Sequence, residues 1–119
     1  MGAINSLDVF KSVVSLASKF LVCGTLRADL PYKKVYEVRE KNRRLGLGLM
    51  GIHEWLLQRG QKYEVGPELK QWLEVYRDES KRAADEHCDR FYISRPVAYR
   101  AIAPTGTIGI LALSIVRRK

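Results

Sequence analysis

The sequence has little cysteine, little proline and no long uninterrupted apolar run. Two cysteines, Cys23 and Cys88, are too few for a disulfide framework, so a reduced setting is expected. With two histidines as well, His53 and the adjacent His87–Cys88 pair, no four-ligand zinc spacing can be assembled. The most apolar stretch, near the N-terminus, is interrupted by Lys11 and Lys19, which argues against a membrane span of ~18 residues. The N-terminus also lacks the basic-then-apolar order of a secretion signal. A cytoplasmic location is the expectation.

What is present suits one globular domain over residues 1–119. Hydrophobic residues make up 46% and charged residues 29%. A compact chain of this mass exposes roughly 6,600 Å². The net charge is +8, from 21 basic and 13 acidic residues. Residues 33–44 hold six basic and two acidic side chains. Such a cluster suits an anionic partner, nucleic acid among them, and equally suits a solvated face.

Periodicity predicts three helices. The first covers Leu7 to Leu21, with Phe10, Val13, Val14, Ala17, Phe20 and Leu21 at helical spacing, Asn5 as cap and Cys23-Gly24-Thr25 as its end. A second spans about Leu49 to Gln58 and stops at Gly60. The third opens at Gly66-Pro67 and runs to about Phe91, with Leu69, Trp72, Leu73, Tyr76, Ala83, Ala84 and His87 on one face. The helical faces carrying Phe10, Val14, Trp72 and Tyr76 are expected to pack together. Leu26 to Lys41 reads as an irregular connection with a short extended piece near Val35 to Val38, and Arg100 to Ala103 as a short extended run.

Two glycine motifs stand out. Gly46-Leu47-Gly48-Leu49-Met50-Gly51 fits G-x-G-x-x-G, but Glu40-Lys41-Asn42-Arg43-Arg44 precedes it where a dinucleotide fold needs a buried strand. Glycines that let backbones approach closely are the better reading. The second motif is Pro104-Thr105-Gly106-Thr107-Ile108-Gly109. Two hydroxyls, a glycine that can turn successive amides inward, and a helix starting near Thr107 would make a diphosphate cradle. It lacks the lysine of a P-loop, and an ordinary turn into a helix fits the same residues.

Asn42-Arg43-Arg44-Leu45-Gly46-Leu47-Gly48-Leu49-Met50-Gly51, followed about 50 residues later by Ala101-Ile102-Ala103-Pro104-Thr105-Gly106-Thr107-Ile108, resembles the large catalytic subunit of ribonucleotide reductase. Gly2-Ala3-Ile4-Asn5 is similar to the segment after that enzyme's finger loop. The likeness spans Gly2 to about Ala112 and is nearest the adenosylcobalamin-dependent branch. The helices and short extended pieces read above make a mainly α chain with a few short strands (α+β); the likeness implies a slice of the family's ten-stranded α/β barrel. It implies ribonucleotide reduction by a thiyl radical in the intact enzyme, serving deoxyribonucleotide biosynthesis and DNA replication. Thr105, Gly106, Thr107 and Ile108 would bind the substrate diphosphate.

The departures are equally informative. The family's N-x-C-x-E finger-loop pattern does not occur, and neither Cys23 nor Cys88 sits in a matching motif. No catalytic residue and no metal ligand is therefore assigned. The expectation is an internal fragment, inactive alone, with no adenosylcobalamin bound to it. Its partners would be the remaining reductase segments or a second copy, with no membrane. A small basic nucleic-acid-binding or interaction module is the alternative.

Overall fold

The computed structural model describes residue 4 and residues 6–117. Five helices follow one another: α1 (Leu7–Arg27), α2 (Lys33–Asn42), α3 (Ile52–Gln58), α4 (Pro67–Arg90) and α5 (Gly106–Arg117). The α1 and α4 helices form the principal packed pair. Phe10, Val14, Ser18 and Val22 recur every fourth residue of α1, and this stripe is buried. It packs in common clusters with Leu69, Trp72, Tyr76, Ala84 and Cys88 of α4. Phe10 and Trp72 rings lie 4.8 Å apart, and Trp55 of α3 closes on Trp72 at 5.0 Å. The expected joining of Phe10, Val14, Trp72 and Tyr76 is therefore the main core. A second cluster joins Val22, Leu45, Ala84 and Cys88.

Helix α4 starts at Pro67, whose missing N–H costs nothing in a first turn, and α3 ends before Gly60 at φ 65°. Elsewhere the sequence expectations need correction. Helix α1 does not stop at Cys23-Gly24-Thr25. It continues to Arg27, with the Thr25 hydroxyl donating back to the Val22 carbonyl at 2.7 Å. The expected Asn5 cap lies outside the described residues.

The supposed irregular stretch contains α2, which buries none of its side chains and so has no apolar stripe to reveal it. Tyr36 and Arg39 tie it down. The Tyr36 hydroxyl accepts from the Leu30 amide at 2.9 Å, and Arg39 donates to the Ala28 carbonyl at 2.9 Å.

The barrel-slice, α+β expectation is overturned. Among the described residues there is no strand, only one isolated parallel bridge between Leu47 and Arg100. The Leu45 amide donates to Ala98 and the Leu47 amide to Tyr99. Donors advance by two residues while acceptors advance by one, so the ladder cannot propagate. A barrel strand needs partners on both sides, and among the described residues these two segments pair only with each other.

Helix α1 is long and apolar enough to cross a membrane, with a mean hydropathy of 1.5 despite Lys11 and Lys19, contrary to the sequence expectation. Both of its faces contribute. One is the buried stripe, and the other is an exposed row of Val9, Val13, Leu16 and Phe20.

The molecule measures 49 × 28 × 24 Å, with a radius of gyration of 16.1 Å against about 13–14 Å for a compact chain of this length. Its surface of 8555 Å² likewise exceeds the compact expectation.

Candidate functional site

The two motif segments run side by side. The Leu47 amide donates to the Tyr99 carbonyl and the Ala101 amide to the Leu47 carbonyl, both at 3.2 Å. The Tyr76 hydroxyl of α4 donates to that same Leu47 carbonyl. Gly48 is the close-approach residue, since a Cβ there would lie 2.7 Å from the Ala101 carbonyl oxygen. At Gly46 a Cβ would meet the Ala101 side chain at an ordinary 3.8 Å. Gly51 precedes α3 with φ 74°, a conformation that favours glycine. Close packing requires glycine at Gly48 and not at Gly46, and the strand–glycine–helix unit of a dinucleotide site is not formed among the described residues.

Arg43 ends α2 in the left-handed region, at φ 42°, and is 4% exposed. Its Nε donates to the Ser94 carbonyl at 3.1 Å and an Nη to the Thr25 hydroxyl at 2.8 Å. One residue thus joins α1, α2 and the approach to the second motif. Arg39 is also engaged, on Ala28 and over the Tyr36 ring at 4.7 Å. Of the basic cluster, Lys33, Lys34, Lys41 and Arg44 remain exposed. Part of what resembled a ligand-seeking patch holds the fold together.

The chain leaves this pairing at Ala101 and reaches Thr105, and α5 begins at Gly106. The Gly109 amide donates to the Thr105 carbonyl at 2.7 Å, the first bond of the helix. The amides of Gly106, Thr107 and Ile108 precede it and belong to the first turn, where N–H groups have no partner within the helix. Gly106, Thr107 and Ile108 are exposed and Thr105 is half-buried. Apart from its chain neighbours and the backbone of its own helix, nothing described lies within 4 Å of where a Gly106 Cβ would stand.

Gly106 does not take up the positive φ expected of an inward-turning loop. The four residues form an open helix start in which amides and dipole point the same way. Arg100, the cation just before it, donates to the Arg77 carbonyl and the Ser80 hydroxyl, each at 2.9 Å.

The tyrosines that hold the second segment are shifted. Burial pushes the Tyr76 phenol up, with Arg100 opposing. Tyr99 is pushed up to about 12 by burial and by its 2.7 Å hydrogen bond to the Asp85 carboxylate. Burial also raises the Cys88 thiol. Other charges pair locally: the Arg82 hydrogen bond holds the Glu79 carboxyl down, and Arg95 does the same for Asp89.

One pairing was invisible in the sequence. Cys23 Sγ lies 3.3 Å from His87 Nε2, across 64 residues of chain. His53 stacks against Tyr63 at 5.0 Å instead. Among the described residues no three His, Cys, Asp or Glu side chains gather as a metal set.

A family described as "Ribonucleotide reductase, barrel domain" matches residues 3–73. The chain belongs to this family. A protein of Mycobacterium phage D29, named as an adenosylcobalamin-dependent ribonucleoside-triphosphate reductase, is 36% identical over 96 residues. That alignment covers 78% of this chain and 14% of the phage protein, so the chain spans about one seventh of the length of that relative. No solved structure matches. The sequence resemblance to ribonucleotide reductase is thus upheld, although the described residues form no barrel. The family match ends at residue 73, so Thr105–Ile108 lies beyond it.

Proposed function

We propose that this ribonucleotide reductase chain works as one part of a larger adenosylcobalamin-dependent catalytic unit and presents the start of α5 to the phosphates of a ribonucleotide. The observation that carries this reading is the open first turn at Gly106–Ile108, flanked by the Thr105 and Thr107 hydroxyls. Helix starts of this kind bind phosphate through free amides and the dipole. The named cofactor of the phage relative supports adenosylcobalamin for the whole unit, and that relative's substrate class supports a triphosphate.

The large exposed surface supports a body built to be covered. Ile108, Ile110 and Leu111 of α5 are all at least 60% exposed. The remaining reductase segments are the partners this reading requires. The chain alone carries no N-x-C-x-E motif and is expected to be inactive. The nucleic-acid reading loses ground, because Arg39 and Arg43 of its basic cluster are engaged within the fold.

Phosphorus NMR of a ribonucleoside triphosphate titrated with the 119-residue chain tests the proposal. Broadening of the phosphate resonances that weakens in a Thr105→Val/Thr107→Val double variant is the expected result. Equal broadening by both proteins, or none by either, would overturn it.

A further inference from the structure

We propose that Cys23 is a modification site for low-molecular-weight disulfides, activated by His87. Cys23 lies near the C-terminal end of α1 and His87 near that of α4, the two helices that form the packed pair. Their reactive atoms, Sγ and Nε2, are 3.3 Å apart, within reach of a sulfur hydrogen bond. Both residues are half-buried, so the pair is not sealed inside the core. The imidazole also meets the Phe91 ring, edge-on at 4.8 Å. Cys88, one residue along, is fully buried and has no such base. The two thiols of this chain therefore stand in opposite situations, one beside a base and only half-buried, the other enclosed in the core.

The chemistry follows from that geometry. With the ring proton on Nδ1, Nε2 presents a lone pair to the thiol. Sγ attacks one sulfur of the incoming disulfide while Nε2 takes the thiol proton. A new S–S bond forms between Cys23 and that sulfur, and the original S–S bond breaks. The departing thiolate takes the proton from His87 and leaves as a thiol. The disulfide is the oxidant, and one thiol and one disulfide become a mixed disulfide and a thiol. Nucleophile and base held within hydrogen-bond reach is the arrangement that makes a cysteine reactive.

The test compares rates with glutathione disulfide at neutral pH, with each site read by mass spectrometry. An ordinary half-buried thiol reacts more slowly in the native chain than in the unfolded one, because access is restricted. Cys23 is expected to react about tenfold faster in the native 119-residue chain than in the same chain unfolded in urea. In the native His87→Gln variant, with helix content checked by circular dichroism, its rate should drop to the unfolded value or below. Cys88 should stay unmodified in both native proteins. A native Cys23 rate no higher than the unfolded rate overturns the proposal, as does an unchanged rate in His87→Gln. The native-against-unfolded comparison decides the matter alone if the variant fails to fold.

Discussion

The Tyr76 hydroxyl of α4 donates to the Leu47 main-chain carbonyl, which also receives the Ala101 amide. One carbonyl thus ties the long helix to both motif segments. Tyr76→Phe removes one donor and leaves the Ala101 bond in place. It should cost about 0.5–1.5 kcal/mol of unfolding free energy, measured by urea denaturation. A loss above about 3 kcal/mol would mean that the hydroxyl does more than support this carbonyl.

Gly46 and Gly48 separate close packing from mere occurrence in a motif. Gly48→Ala places a methyl against the Ala101 carbonyl, where the backbone must move, and should cost about 1–3 kcal/mol. Gly46→Ala meets only the Ala101 side chain at contact distance and should stay within about 0.5 kcal/mol of the parent. Thermal unfolding of the two variants side by side checks the ordering.

Alkaline stability should depend on Tyr99. Its phenol titrates near 10 when unfolded and is pushed up to about 12 in the fold. A raised phenol contributes stability that is fully present below pH 10 and is lost as pH rises toward 12. Tyr76 shifts in the same direction. Unfolding free energy should therefore fall over that window, and Tyr99→Phe should flatten the fall. Denaturation curves at stepped pH, with tyrosinate absorbance followed in parallel, give the measurement. An unchanged slope in Tyr99→Phe would contradict the assignment.

Ser18 sits in the buried stripe of α1, 1% exposed, and its hydroxyl has no hydrogen-bond partner among the described residues. An unsatisfied buried hydroxyl is a cost, so Ser18→Ala should leave stability unchanged or raise it by up to about 1 kcal/mol. A clear loss in urea denaturation would show that the hydroxyl is satisfied after all.

The exposed row on α1 gives a prediction about association. Phe20 is 74% and Leu16 70% exposed on the face away from α4. The isolated chain should self-associate at high concentration, and Leu16→Glu/Phe20→Glu should return it toward monomer. Sedimentation velocity decides it, with a concentration-independent monomer in the parent as the contrary result.

Legibility followed burial. Helix α4 could be read almost to the residue because its apolar period is strong and Gly66-Pro67 marks its start. Helix α2 could not, because it buries nothing and ends on Arg43 in a conformation usually signalled by glycine. The end of α1 was misplaced because Gly24 suggests a stop, while the chain is carried past it and caps at Ala28.

Short extended pieces were expected from the pattern and barrel strands from the resemblance, yet two lone segments whose register slips after one bridge cannot make a sheet. At Thr105–Ile108, the residues and a helix start close by were readable, but the fully helical backbone at Gly106 was not. The Cys23–His87 pair left no trace in the sequence, since only the packing of α1 on α4 brings the two together.

The closeness of Gly48 to Ala101 has an evolutionary corollary. The chain enters α5 from a main-chain seam with a segment more than fifty positions back, and an extra carbon at residue 48 would force that seam to shift. Under the phosphate role proposed for Thr105–Ile108, a lineage would weaken that grip with Thr105 and Thr107 untouched, simply by letting one methyl group appear in the other motif.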